Sequence, residues 1–377
     1  MEISKITALV LAAGYSSRMA QFKPLLDLGG KPVVARVVDS LNLAGNQDVR
    51  VVIGYKKSVL KPLLIKMGAK TVENDRYDDG MFSSVIAGIN SLEPGIEAFF
   101  ILPADVPMVR PWTIRRLADS FVPGEDRIVA PCYHGKKGHP LLIGACIKGQ
   151  IIRYTGCGGL RGFLKQYEDE VRMLPVPDEN IDFDVDVPAD YMKLLHRWKR
   201  KDIPSIAECE VILTDILKVD QTVLLHSRAV AVIAGRIAAE LTRSGNNLNQ
   251  DLVIAAALLH DISRGRPDHA NESAAILSDM GYHDVAEVVR CHMDIVHSPK
   301  ESVGAAEVLY LADKLVIEDK PASLSQRFER SLSRYGEAAD IRRQIENRYL
   351  NAMQIKQSIE AITGALKLET GSAVSII

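Results

Sequence analysis

The stretch Leu9-Val10-Leu11-Ala12-Ala13-Gly14-Tyr15-Ser16-Ser17-Arg18-Met19, followed by Lys23-Pro24-Leu25, constrains the first half of the chain more than any other. Its apolar run reads as a buried strand. The run stops at a glycine and opens into a short polar loop that carries an arginine and then a lysine. In an α/β protein, ligands gather beyond the carboxyl ends of the strands. A loop there with a small residue and free backbone N–H groups suits a phosphate chain. Arg18 and Lys23 bring the positive charge that a triphosphate needs. No G-x-x-x-x-G-K-[ST] is present, so this is not the P-loop. The residues alone leave open a plainer reading, a strand-to-helix turn with two solvated cations.

The alternation continues to about residue 195. Strand patterns fall at 6–13, 49–55, 70–73, 98–103, 127–132, 139–143 and 171–176, several of them unbroken Val/Ile/Leu/Phe runs. Such runs mark strands buried on both faces. Helical patterns fall between them at 32–43, 58–67, 83–91 and 112–121. The expected fold is α/β and Rossmann-like, with a mainly parallel sheet. At 196–204 a basic stretch runs into Pro204, the alternation ends, and the remainder reads as almost wholly helical. The reading is therefore a first domain at 1–197, a linker at 198–204, an all-α domain at 205–335 and a helical tail at 336–377. The tail's helix covers 331–365, its apolar positions facing the bundle or another subunit, with fraying at 370–377.

With 377 residues there is room for two or three domains. A net charge of -2 gives no footing for nucleic-acid or membrane-surface binding. The five cysteines form no C-x-x-C pair, which fits a reducing cytoplasm. The first apolar run reads as a strand, not a signal peptide, and no apolar stretch reads as a membrane span.

The motif L-A-A-G-x-S-x-R-M with its downstream lysine resembles the signature of the molybdenum-cofactor nucleotidyltransferases, and the resemblance covers about 5–195. It implies nucleotide binding by Leu11, Ala12, Ala13, Gly14, Ser16, Arg18 and Lys23, with Arg18 and Lys23 also catalytic. Asn74 to Ser84 resembles the family's N-P-x-x-x-x-G-M-x-x-S stretch beside the base and ribose, with Asp75 where proline is usual. It adds Gly80, Ser83 and Ser84 as nucleotide-binding residues. The residues themselves also allow Ser83 or Ser84 to cap the following helix.

The strand 98–103 ends in Pro103-Ala104-Asp105-Val106-Pro107, similar to the family's metal-binding segment, with Asp105 as a catalytic magnesium ligand. Gly138-His139-Pro140 and Gly159-Leu160-Arg161-Gly162 resemble acceptor-binding stretches, so His139 and Arg161 are candidates there. Ile181 to Tyr191 resembles the family's D-I-D-T-P-E-D-Y. Strand alternation sets Asp182, Asp184 and Asp186 on one face, where three carboxylates repel unless a cation or solvent relieves them. Asp186 and Asp184 then join Asp105 around magnesium. An exposed edge strand with protective charge is the other reading.

The second half carries His226 on an apolar helical pattern at 222–241, then His260-Asp261 closing an apolar run. His269 opens a helix to residue 280, His292 follows an apolar face, and Asp313 sits in Leu311-Ala312-Asp313-Lys314-Leu315. Imidazoles and carboxylates from separate helices converge on first-row divalent metals in bundles. The pattern H…HD…H…H…D resembles the HD superfamily of metal-dependent phosphohydrolases over about 205–335. It implies His226, His260, Asp261 and Asp313 as core ligands, with His269 and His292 as those of binuclear members, holding one or two divalent transition metal ions. His297 is a further candidate. Arg264 and Arg266 either meet substrate phosphate or lie in an exposed loop.

Together these resemblances imply a bifunctional cytoplasmic enzyme. One activity is transfer of a nucleotidyl group from an NTP to the molybdenum cofactor with release of pyrophosphate, Mg²⁺ assisting. The other is phosphoester hydrolysis by the HD domain. Family members with L-A-A-G favour CTP. A molybdoenzyme or its maturation factor and a second copy of the chain are the expected partners, with no nucleic acid and no membrane. The alternatives are a cytidylyltransferase for a sugar phosphate or phosphocholine, and a nucleotide-binding regulatory protein.

Overall fold

The computed structural model describes residues 2–19, 21–297 and 303–364, and the expected fraying at 370–377 lies outside them. The chain divides into two compact units, residues 1–200 and 201–377.

In the first unit, strands and helices alternate as β1 (Ile6–Ala12), α1 (Val33–Leu43), β2 (Asp48–Ile53), α2 (Lys57–Lys66), β3 (Lys70–Glu73), α3 (Met81–Asn90), β4 (Ala98–Pro103) and α4 (Pro111–Ser120). There follow β5 (Ile128–Tyr133), β6 (Lys136–Lys137), β7 (Leu141–Gly144), α5 (Lys148–Arg153), α6 (Gly159–Leu164), β8 (Val171–Pro175) and α7 (Pro188–Lys199). The sheet runs β3-β2-β1-β4-β7-β5-β6, with β8 pairing β5. The pairs among β1 to β4 and the β5–β8 pair are parallel, while β7 and β6 run antiparallel to their neighbours. The sheet is therefore mainly parallel and mixed.

Period-two alternation divides the central strand between two cores. Ala8, Val10 and Ala12 face α1, α2 and α4, whereas Leu9 and Leu11 face α3, α5 and α6. Each fully buried Val, Leu or Ile side chain contributes about 1.5–3 kcal/mol, so a register slip in β1 would cost both layers. A third, smaller cluster joins Met19, Leu26, Leu28, Val33, Val185 and Leu194. It fixes the loop after β1 and the segment before α7 against each other.

That segment corrects the sequence reading. Residues 181–187 form turns and irregular backbone, not a strand. Buried Ile181 and Val185 anchor it, and its backbone is shared between other elements. Val185 N–H donates to the Asp105 carbonyl at 3.0 Å, and His139 N–H donates to the Ile181 carbonyl at 2.6 Å. Asp182, Asp184 and Asp186 thus share no strand face. Ser83 and Ser84 cap nothing: α3 begins at Met81, Gly80 stands at its N-cap with φ 94°, and the serines lie inside the first turns. Helix α7 continues to Lys199, so the first residues of the expected linker are helical.

The second unit contains α8 (Ile206–Val211), α9 (Gln221–Arg243), α10 (Gln250–Leu259), α11 (His269–Asp279), α12 (His283–Arg290) and α13 (Ala305–Lys314). A small hairpin of β9 (Val316–Ile317) and β10 (Lys320–Pro321), then α14 (Leu324–Tyr335) and α15 (Ala339–Thr363), complete it. Helix α9 has the length and composition of a membrane span, contrary to the sequence reading. Its apolar face, however, packs on α10 and α13 and buries His226. The expected continuous helix over 331–365 is two helices broken at Gly336. A side chain there would strike the Leu332 carbonyl oxygen at 2.5 Å. In α15, buried Ile345, Ala352, Ile355 and Ile359 form the inner face, which packs on α13, α14 and α9 of the bundle.

Candidate functional sites

Strands β1 and β4 pair in parallel, Leu11 opposite Pro103, so Gly14 and Asp105 leave the sheet at the same edge. Between them lies a cavity of about 480 Å³. Leu11, Ala12, Ala13, Gly14, Ser16, Arg18, Lys23, Gly80, Ser84 and Asp105 all line it. A Cβ at Gly14 would meet nothing within 4 Å among the described residues, which leaves the backbone approachable. Ser16, with φ 59°, accepts a hydrogen bond on Oγ from the Lys23 amide at 3.1 Å and on its carbonyl from Met19 N–H at 2.9 Å. The loop is therefore folded around Ser16.

Charge collects at one end of this cavity. Lys23 Nζ lies 2.6 Å from Asp186 Oδ1 and 3.4 Å from Asp105 Oδ2. Arg18 Nη1 lies 2.5 Å from Asp186 Oδ2. The ammonium stands where the two carboxylates converge. Lys23 holds Asp186 below the usual carboxylate range against the opposing effect of burial, while burial pushes Asp105 up despite Lys23. Burial lowers the His139 imidazole, against the pull of Asp184 and the Ile101 carbonyl. Its buried Nδ1 has no hydrogen-bond partner among the described residues. The Asp184 charge also opposes ionisation of Asp105. Arg161 is exposed on α6.

The other end is aromatic, which the sequence reading missed. The Tyr15 ring sits 5.0 Å from Tyr55 and 5.4 Å from Tyr77, and its hydroxyl donates to Asp78. That bond pushes the Tyr15 phenol up. Gly54 lets this wall form, because a Cβ there would lie 2.7 Å from Tyr77 Cβ. Buried Asn74 donates to Ser83 Oγ at 2.9 Å and to Ser84 Oγ at 3.0 Å. Ser83 in turn donates to the carbonyls of Arg76 and Gly80 and so holds the 74–80 loop. The visible signal was three tyrosines close to the two loop motifs.

In the second unit, α9, α10, α11 and α13 and the turn after α12 bring six expected ligands together. His226 Nε2 is 3.1 Å from Asp313 Oδ1 and 3.7 Å from Asp261 Oδ2. His260 Nε2 is 3.6 Å from Asp261 Oδ2 and 3.7 Å from Asp313 Oδ1. On the other side, Asp261 Oδ1 is 3.4 Å from His269 Nε2 and 3.6 Å from His292 Nε2. Two triads result, His226–His260–Asp261 and Asp261–His269–His292, with Asp261 common to both.

The donor set fits divalent metal. His226, His260 and His292 donate their Nδ1–H to the carbonyls of Glu318, Ala257 and Val289 at 2.7, 2.9 and 2.7 Å. This fixes the tautomer that turns Nε2 inward, as outer partners of metal-bound histidines do. Buried His260 Nε2 has no hydrogen-bond partner among the described residues, and His269 Nε2 faces His292 Nε2 at 3.2 Å. With Nδ1–H engaged, Nε2 of His226, His260 and His292 turns a lone pair toward the carboxylate oxygens of Asp261 or Asp313, and a cation among these acceptors would relieve them. Burial opposes ionisation of Asp261, but His260 and His292 hold it well below the usual range. Lys314 does the same for Asp313. Burial keeps His292 low, while Asp261 and Asp313 raise His260 against burial.

Arg264 reaches the cluster, its Nη1 3.4 Å from Asp261 Oδ2, whereas Arg266 pairs with Glu272 at 2.9 Å. His297 is buried elsewhere. Its Nε2 meets Ser358 Oγ at 3.0 Å, and its Nδ1 faces Glu307 at 3.8 Å.

Comparison with known proteins gives a separate match in each unit. Residues 8–171 match the family model of the MobA-like NTP transferase domain, and residues 223–317 match that of the HD domain. The bifunctional protein GlmU of Symbiobacterium thermophilum is 31% identical over 170 residues, 44% of this chain and 34% of that protein. The 2-aminoethylphosphonate cytidylyltransferase of Lancefieldella rimae is 33% identical over 166 residues, 41% of this chain and 62% of that protein. The molybdenum cofactor cytidylyltransferase of Escherichia coli is 24% identical over 204 residues, 52% of this chain and 98% of that protein. The chain thus spans less than two thirds of the first two relatives. It carries a MobA-like NTP transferase domain followed by an HD domain.

Proposed function

We propose that the first unit transfers a cytidylyl group from CTP to the molybdenum cofactor. The carrying observation is Lys23 Nζ held between Asp105 and Asp186 at the edge of a loop-lined cavity. An acceptor phosphate attacks the α-phosphorus, the α–β phosphoanhydride bond breaks, and pyrophosphate leaves. A phosphate nucleophile needs no separate general base. Lys23, Arg18 and the loop amides bind and align the triphosphate, which is most of what such a transfer requires. Asp105, with Asp186 or Asp184, would hold Mg²⁺, which supplies charge neutralisation on the phosphates. Alignment along 98% of the Escherichia coli relative supports the cofactor as acceptor.

A second reading keeps the donor and replaces the acceptor by a small phosphonate or phosphate ester, such as a sugar phosphate or phosphocholine. The 33% identity to the phosphonate enzyme favours it. Retention of both Lys23 and Asp105 weighs against a regulatory domain that binds nucleotide without turnover.

The second unit, on this account, hydrolyses a phosphoester or phosphoanhydride. His226, His260, Asp261 and Asp313 would hold one divalent metal, and Asp261, His269 and His292 would hold a second. A metal held by these residues would supply charge to activate a water and to neutralise the phosphoryl oxygens. Arg264 meets the substrate's negative charge. Five free cysteines suit a reducing cytoplasm. Pyrophosphate release with each nucleotide and each acceptor tests the transferase. Metal content and phosphatase activity of the Asp261→Ala variant test the hydrolase.

A further inference from the structure

Lys314 is buried, 5% exposed, directly beside the metal cluster yet outside its ligand set. Its ammonium donates to Asp313 Oδ2 at 2.9 Å and to the backbone carbonyl of His292 at 2.7 Å, and it lies 4.2 Å from the Tyr310 ring centre. Asp313 belongs with His226 and His260, while His292 belongs with His269. One buried cation therefore spans both halves of the cluster. We propose that Lys314 is a positioning residue that makes Asp313 a one-oxygen ligand and ties His292 to it, so that the two halves bind metal with unequal affinity. The proposal rests on the metal-binding reading of the HD unit.

The asymmetry follows from the donors left over. With Oδ2 engaged by Lys314, Asp313 offers Oδ1 alone, toward His226 and His260. That half has two imidazoles and two carboxylate oxygens, all almost fully buried. The other half has Asp261 Oδ1, His269 and His292, and the His269 side chain is 19% exposed. Fewer donors and access to solvent make it the weaker, exchangeable half. His292 follows the end of α12 in a turn, so its position depends on what holds its backbone. Lys314 is the side chain that does so from α13.

The test is titration of metal-free full-length protein with Mn²⁺, followed by electron paramagnetic resonance, with calorimetry for affinities. In the wild type, the first equivalent gives a mononuclear signal and the second an exchange-coupled one, with dissociation constants differing at least tenfold. In Lys314→Met, which retains the apolar stem and removes the charge, the first equivalent still binds. The second weakens by a further tenfold or more. Two equal affinities in the wild type, or a coupled signal from the first additions, would overturn the proposal even if the variant failed to fold. So would a folded Lys314→Met protein that fills both sites as the wild type does. Absence of any Mn²⁺ binding by the wild type would overturn the metal reading itself, and this proposal with it.

Discussion

Lys23 and Asp186 stand 163 residues apart in sequence and 2.6 Å apart in space. Lys23 comes from the loop after β1, and Asp186 from the irregular segment before α7. The cluster of Met19, Leu26, Val185 and Leu194 sets one against the other. Replacing Lys23 by Met removes the ammonium and keeps the stem. Preorganised charge of this kind is worth about 10²–10³ in rate, so kcat/KM for pyrophosphate release should fall by that factor. A melting temperature shifted by no more than about 4 °C, the effect of ~1 kcal/mol in a unit of this size, would show that the fold survives.

The two units should fail independently. Asp105→Asn is expected to abolish pyrophosphate release while leaving the metal content and hydrolytic activity of the second unit unchanged. Asp261→Ala is expected to do the reverse. It removes the one carboxylate shared by both triads, so elemental analysis should find both metal positions depleted. Simultaneous loss of both activities in either folded variant would refute independence.

Much of this was legible in the sequence because strand and helix periods are local, and because β1 and β4 end in residues whose chemistry shows in the motif. The six residues of the second cluster were legible as candidates through residue type and the resemblance to the HD superfamily, and the fold brings them together. What escaped was tertiary. Asp182, Asp184 and Asp186 alternate like a strand, but contacts from Asp105 and His139 take the backbone partners a strand would need. The alternation therefore gave a false face. Gly336 sits within a pattern that continues on both sides, and the close approach of its backbone to the Leu332 carbonyl, where a Cβ would lie 2.5 Å from the oxygen, shows only in the structure. Lys314 reads as an ordinary charge at a helix end until its two partners are seen.

Acid stability should report Asp48. Burial opposes its ionisation, but Arg50, Lys70 and the Thr7 hydroxyl outweigh this and bring its pKa down to about 2. A folded value below the unfolded one stabilises the fold above the unfolded pKa of about 4. That contribution is lost as pH falls from about 4 toward 2. Asp48→Asn should flatten the acid limb of a stability–pH curve. It should also cost ~2 kcal/mol at neutral pH, because buried Arg50 loses the negative charge of its main partner. Chemical denaturation at pH 7 and pH 3 measures both.

The aromatic end of the cavity gives a binding prediction. Tyr15→Ala removes a ring packed on Tyr55 and Tyr77. Aromatic contacts of this kind are worth about 0.5–1.5 kcal/mol, so CTP affinity should weaken by roughly threefold to tenfold in calorimetry. Tyr15→Phe keeps the ring and loses only the bond to Asp78, and should bind within about twofold of wild type. Equal affinities for wild type and Tyr15→Ala would remove Tyr15 from the nucleotide site.

The most direct test of the account is pyrophosphate release by the full-length protein with Mg²⁺ and each of CTP, GTP, ATP and UTP, offered first with molybdenum cofactor and then with 2-aminoethylphosphonate. Release with CTP and molybdenum cofactor alone is the predicted result. Release with CTP and the phosphonate alone would keep the donor and overturn the acceptor, and no release with any pair, from protein shown to be folded, would contradict the transferase assignment altogether.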